Sequence, residues 1–380
     1  MKELQEAVMA NKIELRKINR NTVFKCVFNN EGISRQDIAA QTSLSIPTVL
    51  QNLKELESMG LVNADGVFES TGGRKAKVIK CNYNAKHAIG IDITENHITI
   101  AGMDMAGRIV MGGERDIFHF EDTGKCYDAI NKKLSDLISG AGMDPDSILG
   151  VGISVPCIVD RSRNRITYSK VIRAPENMFD IFSERIPYRV EIFNDANAAG
   201  FAEIWQADSE KNIFYLMLSN SVGGAVIGTE GIYLGDNCRG AEVGHMRIEP
   251  RGKKCYCGQK GCVNAYCSAH VLADTRQGKL ERFFEDMEAG DEKLKEKFHE
   301  YLEYLAVTVV NLRMLYDCEI ILGGYVGACM EKYMDQLRDM VGRLDPYDHT
   351  GGYVQQCHYR VDASAVGAGM TFIDEYIKSI

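Results

Sequence analysis

Apolar residues recur at helical spacing at Val23, Phe24, Val27 and Phe28, which predicts a first helix over 21–29. Glu31-Gly32 breaks that pattern. Ser34 then suits the cap of a second helix, Arg35 to Gln41, with Ile38 and Ala39 turned inward. After the turn Thr42-Ser43-Leu44, Ser45 opens a third helix with Pro47 in its first turn. Val49, Leu50, Leu53 and Leu56 form its apolar side, and it ends at Met59-Gly60. Two helices joined by so short a turn, behind a leading helix, predict a helix-turn-helix. The next stretch, 61–79, reads as a β-hairpin wing whose glycine-flexed tip carries Arg74, Lys75 and Lys77.

Beyond residue 85 the pattern changes to short β-rich runs. Ala88 to Ile93, Ile98 to Met103 and Ile109 to Phe118 predict strands separated by tight turns. A helix over Thr123 to Gly140 follows, then the buried strand Ile148 to Val155. Val190 to Phe193 is a further strand that delivers Asn194-Asp195 to the start of a helix running to Trp205. The pattern restarts with strands Phe214 to Leu218 and Gly224 to Gly228, long helices to about Tyr316, and the strand Glu319 to Leu322 before Gly323-Gly324. A last amphipathic helix spans Ala363 to Ile377. Two half-repeats, each an antiparallel-leaning sheet followed by helices, fit an α/β actin-like architecture with a cleft between two lobes.

At 380 residues the chain exceeds one ordinary core, so several domains are expected. No apolar run approaches the roughly 18 residues of a membrane span. The start, Met1-Lys2-Glu3-Leu4-Gln5-Glu6, is acidic where a signal peptide would be basic and then apolar. Twelve scattered cysteines suit a reducing compartment and metal binding better than disulfides, so a cytoplasmic chain without membrane contact is expected. The net charge of −9 is uneven: residues 1–85 hold twelve Lys/Arg against nine Asp/Glu, a net +3 that leaves −12 on the remainder. Only the head is suited to an anionic partner.

That partner is expected to be DNA. The third helix offers Ser45, Thr48, Gln51, Asn52 and Lys54 on its outward face, short polar groups able to reach base edges and a lysine for phosphate. Arg74 and Lys75 at the wing tip suit phosphates or a minor groove. A second constellation lies at Gly240-Ala241-Glu242-Val243-Gly244-His245 followed by Cys255, Cys257 and Cys262. One imidazole and three thiols at this spacing can close a tetrahedral shell on a structural zinc, with Gly258 and Gly261 allowing the tight turns between thiols.

Nearly the whole length resembles the repressor branch of the ROK family of repressors and sugar kinases. The resemblance rests on Leu15-Arg16-Lys17-Ile18-Asn19-Arg20, the wing Ser70-Thr71-Gly72-Gly73-Arg74, and Val155-Pro156 with Asp160. It rests equally on Asn194-Asp195-Ala196-Asn197-Ala198-Ala199, the Glu-x-Gly-His element and the cysteine box. It implies a duplicated, ribonuclease H-like two-lobe body behind a winged helix-turn-helix. The expected division is 1–84 for the head, 85–198 with 360–380 for the first lobe, and 199–359 for the second lobe with its zinc. In the family, residues matching Asn194, Asp195, Glu242 and His245 contact the sugar, Asp195 standing where kinases keep their base. Asp195 also suits a helix N-cap.

Three departures bear on function. Kinases of the family read Asp-x-Gly-Gly-Thr at the first phosphate loop, where this chain reads Asp92-Ile93-Thr94-Glu95-Asn96. Both glycines are gone and a carboxylate stands where phosphates approach. The second loop is Ser219-Asn220-Ser221 instead of Gly-Thr-Gly, and only Gly323-Gly324 is kept. Cys157 replaces the glycine of Val-Pro-Gly, and Asn264 stands where a Glu is common, so the ligand need not be glucose. The expected function is a sugar-responsive repressor of carbohydrate genes, without catalysis, acting on operator DNA as a homodimer or homotetramer. An ATP-dependent sugar kinase carrying a DNA-binding head is the rival reading. A repressor controlled by a docked protein partner is the third.

Overall fold

The computed structural model describes residues 2–67, 77–206 and 211–380. The head opens with α1 (Lys2–Phe28), followed by α2 (Arg35–Thr42) and α3 (Ile46–Ser58). α1 is far longer than the 21–29 segment that apolar spacing marks, because residues 2–20 are mostly good helix formers and contain neither Gly nor Pro. Ser34 and Ser45 cap α2 and α3 as expected, accepting from the backbone N–H of Asp37 and Thr48. Leu50 departs from expectation: it lies 39% exposed, one residue out of step with the inward set Val49, Asn52, Leu53 and Leu56. The wing strands are β1 (Val62–Val67) and β2 (Lys77–Cys81), paired antiparallel.

The body's first sheet contains β3 (His87–Ile93), β4 (His97–Asp104), β5 (Ile109–Ile117), β6 (Ile148–Val155) and β9 (Val190–Asn194). A small hairpin, β7 (Ile158–Asp160) with β8 (Arg165–Tyr168), projects between the last two. Helices α4 (Gly124–Gly140), α5 (Met178–Ser183) and α6 (Asp195–Gln206) intervene or follow. The second sheet contains β10 (Ile213–Leu218), β11 (Val222–Gly228), β12 (Gly231–Ile232), β13 (Glu319–Gly323) and β14 (Val354–Gln356). Between its strands run α7 (Asn264–Cys267), α8 (His270–Ala273), α9 (Leu280–Glu288), α10 (Glu292–Tyr316), α11 (Gly324–Ala328) and α12 (Met334–Leu344), and α13 (Ala363–Ser379) closes the chain.

The two sheets repeat one topology. Their orders are β5-β4-β3-β6-β9 and β12-β11-β10-β13-β14. In each, the first three strands pair antiparallel and the last two add in parallel. The sheets are therefore mixed; the short strands β7, β8, β12 and β14 carry too few apolar residues to stand out by alternation.

α13 is the axis of the molecule. It packs on β3, β6 and α6, and only small residues allow so close an approach. A Cβ on Gly367 would lie 1.7 Å from the Ala198 carbonyl of α6, and one on Gly90 of β3 would lie 1.7 Å from the Ala365 carbonyl of α13. The far end of α13 carries the head. Arg20 donates to the Ile380 carbonyl at 2.6 Å and Asn21 to that of Ile377. Val23, Phe24, Ile38, Leu53 and Leu61 of the head share one apolar cluster with Met103, Ala365, Phe372 and Ile377 of the body.

Candidate functional site

The head presents α3. Ser45 is exposed and its hydroxyl lies 2.8 Å from that of Thr48, while Gln51 and Lys54 are exposed on the same helix, Gln51 with its side chain bonded to Glu55. Asn52 corrects the expectation of an outward face: it is 3% exposed, and its side-chain N–H donates to the Thr48 carbonyl at 2.8 Å. Position 52 falls one turn from both Val49 and Leu56, so it shares their inward side. Ile46 and Leu50, 40% and 39% exposed, join the outward surface in its place. Arg74 and Lys75 lie outside the described residues; Lys77, at the start of β2, is exposed.

A cavity of about 720 Å³ lies between the sheets. The first sheet's elements contribute Thr94, Glu95, Asn96, His97, Pro156 and Asp195; the second's contribute Asn220, Ser221, Asn264 and Tyr325. Asp195 arrives at the end of a parallel strand, the usual position for a ligand-binding residue in sheets of this kind. The cap of α6 is made by Asn194, which accepts from the Asn197 N–H at 3.0 Å and donates to the Cys157 carbonyl at 3.1 Å. Asp195, relieved of that duty, accepts from its neighbour's N–H, Ala196, at 2.8 Å.

Burial pushes the Asp195 carboxyl up to about 7, and the carboxylate of Asp92 adds to the rise. Asp92 is itself raised to about 6 by burial, opposed by the Ser154 hydroxyl that donates to it at 2.7 Å. Asp195 on the cavity wall and Asp92 behind it are therefore a pair of carboxyls sharing a low-dielectric site. Asn264 spends its carbonyl oxygen on the Val222 N–H at 2.7 Å.

Of the four residues matched to sugar contacts, Asp195 lines the cavity, whereas Asn194, Glu242 and His245 are absent from its wall. Glu242 keeps an exposed surface, yet the protein packed around its carboxyl raises it, with Arg239 pulling the other way. Tyr256 stands at the wall beside them. Its hydroxyl lies 3.3 Å from His245 Nε2, and the Lys170 ammonium donates to its carbonyl at 2.6 Å. Tyr256 and Lys170 were not singled out by sequence; the signal for the first was an aromatic residue set between two metal-type thiols.

His245, Cys255, Cys257 and Cys262 do converge: their four ligand atoms lie within 4.8 Å of one another. Cys257 and Cys262 have their sulfurs 3.8 Å apart, and His245 turns Nδ1 toward Cys255 Sγ at 3.9 Å. The glycines act as expected. Gly258 and Gly261 adopt φ of +94° and +79°, and a Cβ on Gly261 would meet the Glu249 carbonyl at 1.7 Å. The four residues form a candidate metal-binding cluster.

Both the head and the body resemble known proteins. Residues 20–63 match a model described as winged helix-turn-helix DNA-binding. The xylose repressor of Bacillus subtilis is 29% identical over 281 residues, 71% of each chain. The crystal structure of a ROK family transcriptional regulator, described as a homologue of the Escherichia coli MLC protein, superposes with a TM-score of 0.73. It shares 17% identity and covers 96% of this chain and 97% of its own. A ROK family glucokinase from Streptomyces griseus, solved with glucose and AMPPNP, superposes with a TM-score of 0.62 at 24% identity, covering 74% and 98% of the two chains. The actin-like fold is thus shared by regulators and kinases alike. Residues 88–375 match the ROK family model, and the chain belongs to the ROK family.

Proposed function

We propose that this chain is a sugar-responsive transcriptional repressor that reads operator DNA through α3 and the wing and takes its effector in the cleft at Asp195. The observation that carries this reading is mechanical. One helix, α13, packs against α6, which begins at Asp195, and also accepts hydrogen bonds from Arg20 and Asn21 of the DNA-binding head. A ligand that shifts α6 therefore acts on the seat of the head. The coupling needed is modest, about 1–3 kcal/mol.

In this reading the head is 1–84, and the lobes are 85–198 with 360–380 and 199–359, the dividing residues falling within α6. Two heads of a homodimer would read the halves of an inverted repeat, in the cytoplasm. Gln51 and Lys54 would meet base edges and phosphate, with the side chains of Ile46 and Leu50 available to thymine methyls. The chain is proposed to carry out no phosphoryl transfer, since Asp92-Ile93-Thr94-Glu95 offers a carboxylate where a kinase offers glycine N–H groups.

The cysteine box fits a structural zinc. Bonds of roughly 2.3 Å from a tetrahedral zinc to two thiolates place the sulfurs about 3.8 Å apart, the separation of Cys257 and Cys262. A zinc bound by His245 and the three thiolates would fix the loop that carries Glu242 and Tyr256. Among the described residues, no helix is long and apolar enough to cross a membrane.

Mobility shifts of operator DNA across a panel of pentoses, hexoses and amino sugars test the proposal. At least one sugar should change the affinity five-fold or more; a panel that leaves binding unaltered defeats the ligand switch.

A further inference from the structure

Tyr325 follows Gly323-Gly324 at the end of β13, in the second lobe, yet its side chain is engaged by the first. Arg115 of β5 donates to its hydroxyl at 2.8 Å and lays its guanidinium 4.3 Å from the ring centroid. The same guanidinium nitrogen donates to His97 Nδ1 at 3.0 Å. Tyr325 lines the 720 Å³ chamber, and it also lines a second cavity of only about 40 Å³ on the other side. Asp195, Thr94 and Tyr325 are common to both walls. The smaller space adds Asp92, Ser219 and Gly324, so it lies where the first carboxylate turn, the serine turn and the Gly-Gly turn converge.

We propose that Tyr325, held across the cleft by Arg115, is a specificity gate that admits an uncharged sugar to Asp195 and bars ligands carrying phosphate. Tyr325, with Thr94 and Asp195, stands where the open chamber meets the convergence of the three turns. What remains beyond it has room for little more than a water molecule or two. Two carboxyls, Asp92 and Asp195, line that remnant, and the charge they share opposes an anion. Arg115, a nearby group able to grip phosphate in a bidentate manner, already gives one of its two terminal nitrogens to the phenol and to His97. A sugar hydroxyl can still approach Asp195 from the chamber side. A phosphate ester on that hydroxyl, or the phosphates of a nucleotide, would need Tyr325 to leave.

This gate rests on the reading of the cleft as a sugar site, and the test separates the two. Binding of glucose, xylose, glucose 6-phosphate and magnesium ATP is measured by calorimetry on the full chain and on the variants Tyr325→Ala, Tyr325→Phe and Arg115→Met, with melting curves to verify folding. The wild-type chain should bind at least one free sugar and neither phosphate-bearing probe at millimolar concentration. Tyr325→Ala and Arg115→Met should each shift the ratio of affinities toward the phosphate-bearing probes by tenfold or more, and Tyr325→Phe, which keeps the ring, by less. Wild-type binding of ATP or glucose 6-phosphate as tight as that of the free sugar overturns the gate, as do folded Ala and Met variants with an unaltered ratio. If no free sugar binds, the sugar reading alone fails, and the gate is judged on ATP binding by the Tyr325→Ala chain against wild type.

Discussion

Asp195 and Asn52 show how burial, rather than residue type, decides what a side chain can do. Folding raises the Asp195 carboxyl from 3.8 to about 7, so between those values the folded chain holds a proton that the unfolded chain has released. Stability must then fall as pH rises through that window, and the loss is complete above about 7. Asp195→Asn should remove the penalty. Denaturant unfolding should find the variant more stable at pH 8 by on the order of 4 kcal/mol, with a flatter pH profile; a profile as steep as wild type would count against it. Asn52 makes the opposite point in the head. Its amide looks like a base reader, but Asn52→Ala should leave operator specificity unaltered apart from a cost in head stability. Gln51→Ala should weaken operator binding about tenfold, the lower end for one base contact, and mobility shifts would separate the two.

At the level of elements, the sequence was most legible where one force dominated. The zinc-type box, the capped α2 and α3 and the core strands β3, β6, β10 and β13 were readable because ligand spacing, cap chemistry and continuous apolar runs each mark their element locally. α1 was cut short because helix propensity without an apolar period gives no boundary. The wall of the cleft was harder to read. Tyr256, Lys170, Arg115 and Tyr325 come from four separate segments, and nothing local to any of them announces the others. Element packing yields two predictions. Gly367→Val should lower the melting temperature sharply, costing about 3 kcal/mol or more, because backbone rather than a movable side chain opposes the new Cβ. Removing the metal with a strong chelator, or Cys262→Ser, should release zinc at one equivalent per chain and loosen the loop from Glu242 to Cys262, read by limited proteolysis. A full-length chain that is metal-free and equally resistant would argue for plain thiols.

For the whole molecule, the decisive contacts are those between the head and α13. Arg20→Ala combined with Asn21→Ala should uncouple the two: sugar binding persists in calorimetry while its effect on operator affinity falls toward none. Retention of the full sugar response would place the coupling elsewhere. The charge division supports the same picture, since a head of +3 on a body of −12 keeps DNA at one end of the chain.

The arrangement of α13 also has a bearing on synthesis. The winged helix is made first, but the carbonyls that seat it belong to Ile377 and Ile380, more than three hundred residues later in translation. Until the ribosome has delivered that helix, the nascent head lacks both of these carbonyl partners. Under the proposed coupling, a polypeptide ending before Ala363 should lose the sugar response of any operator binding it retains.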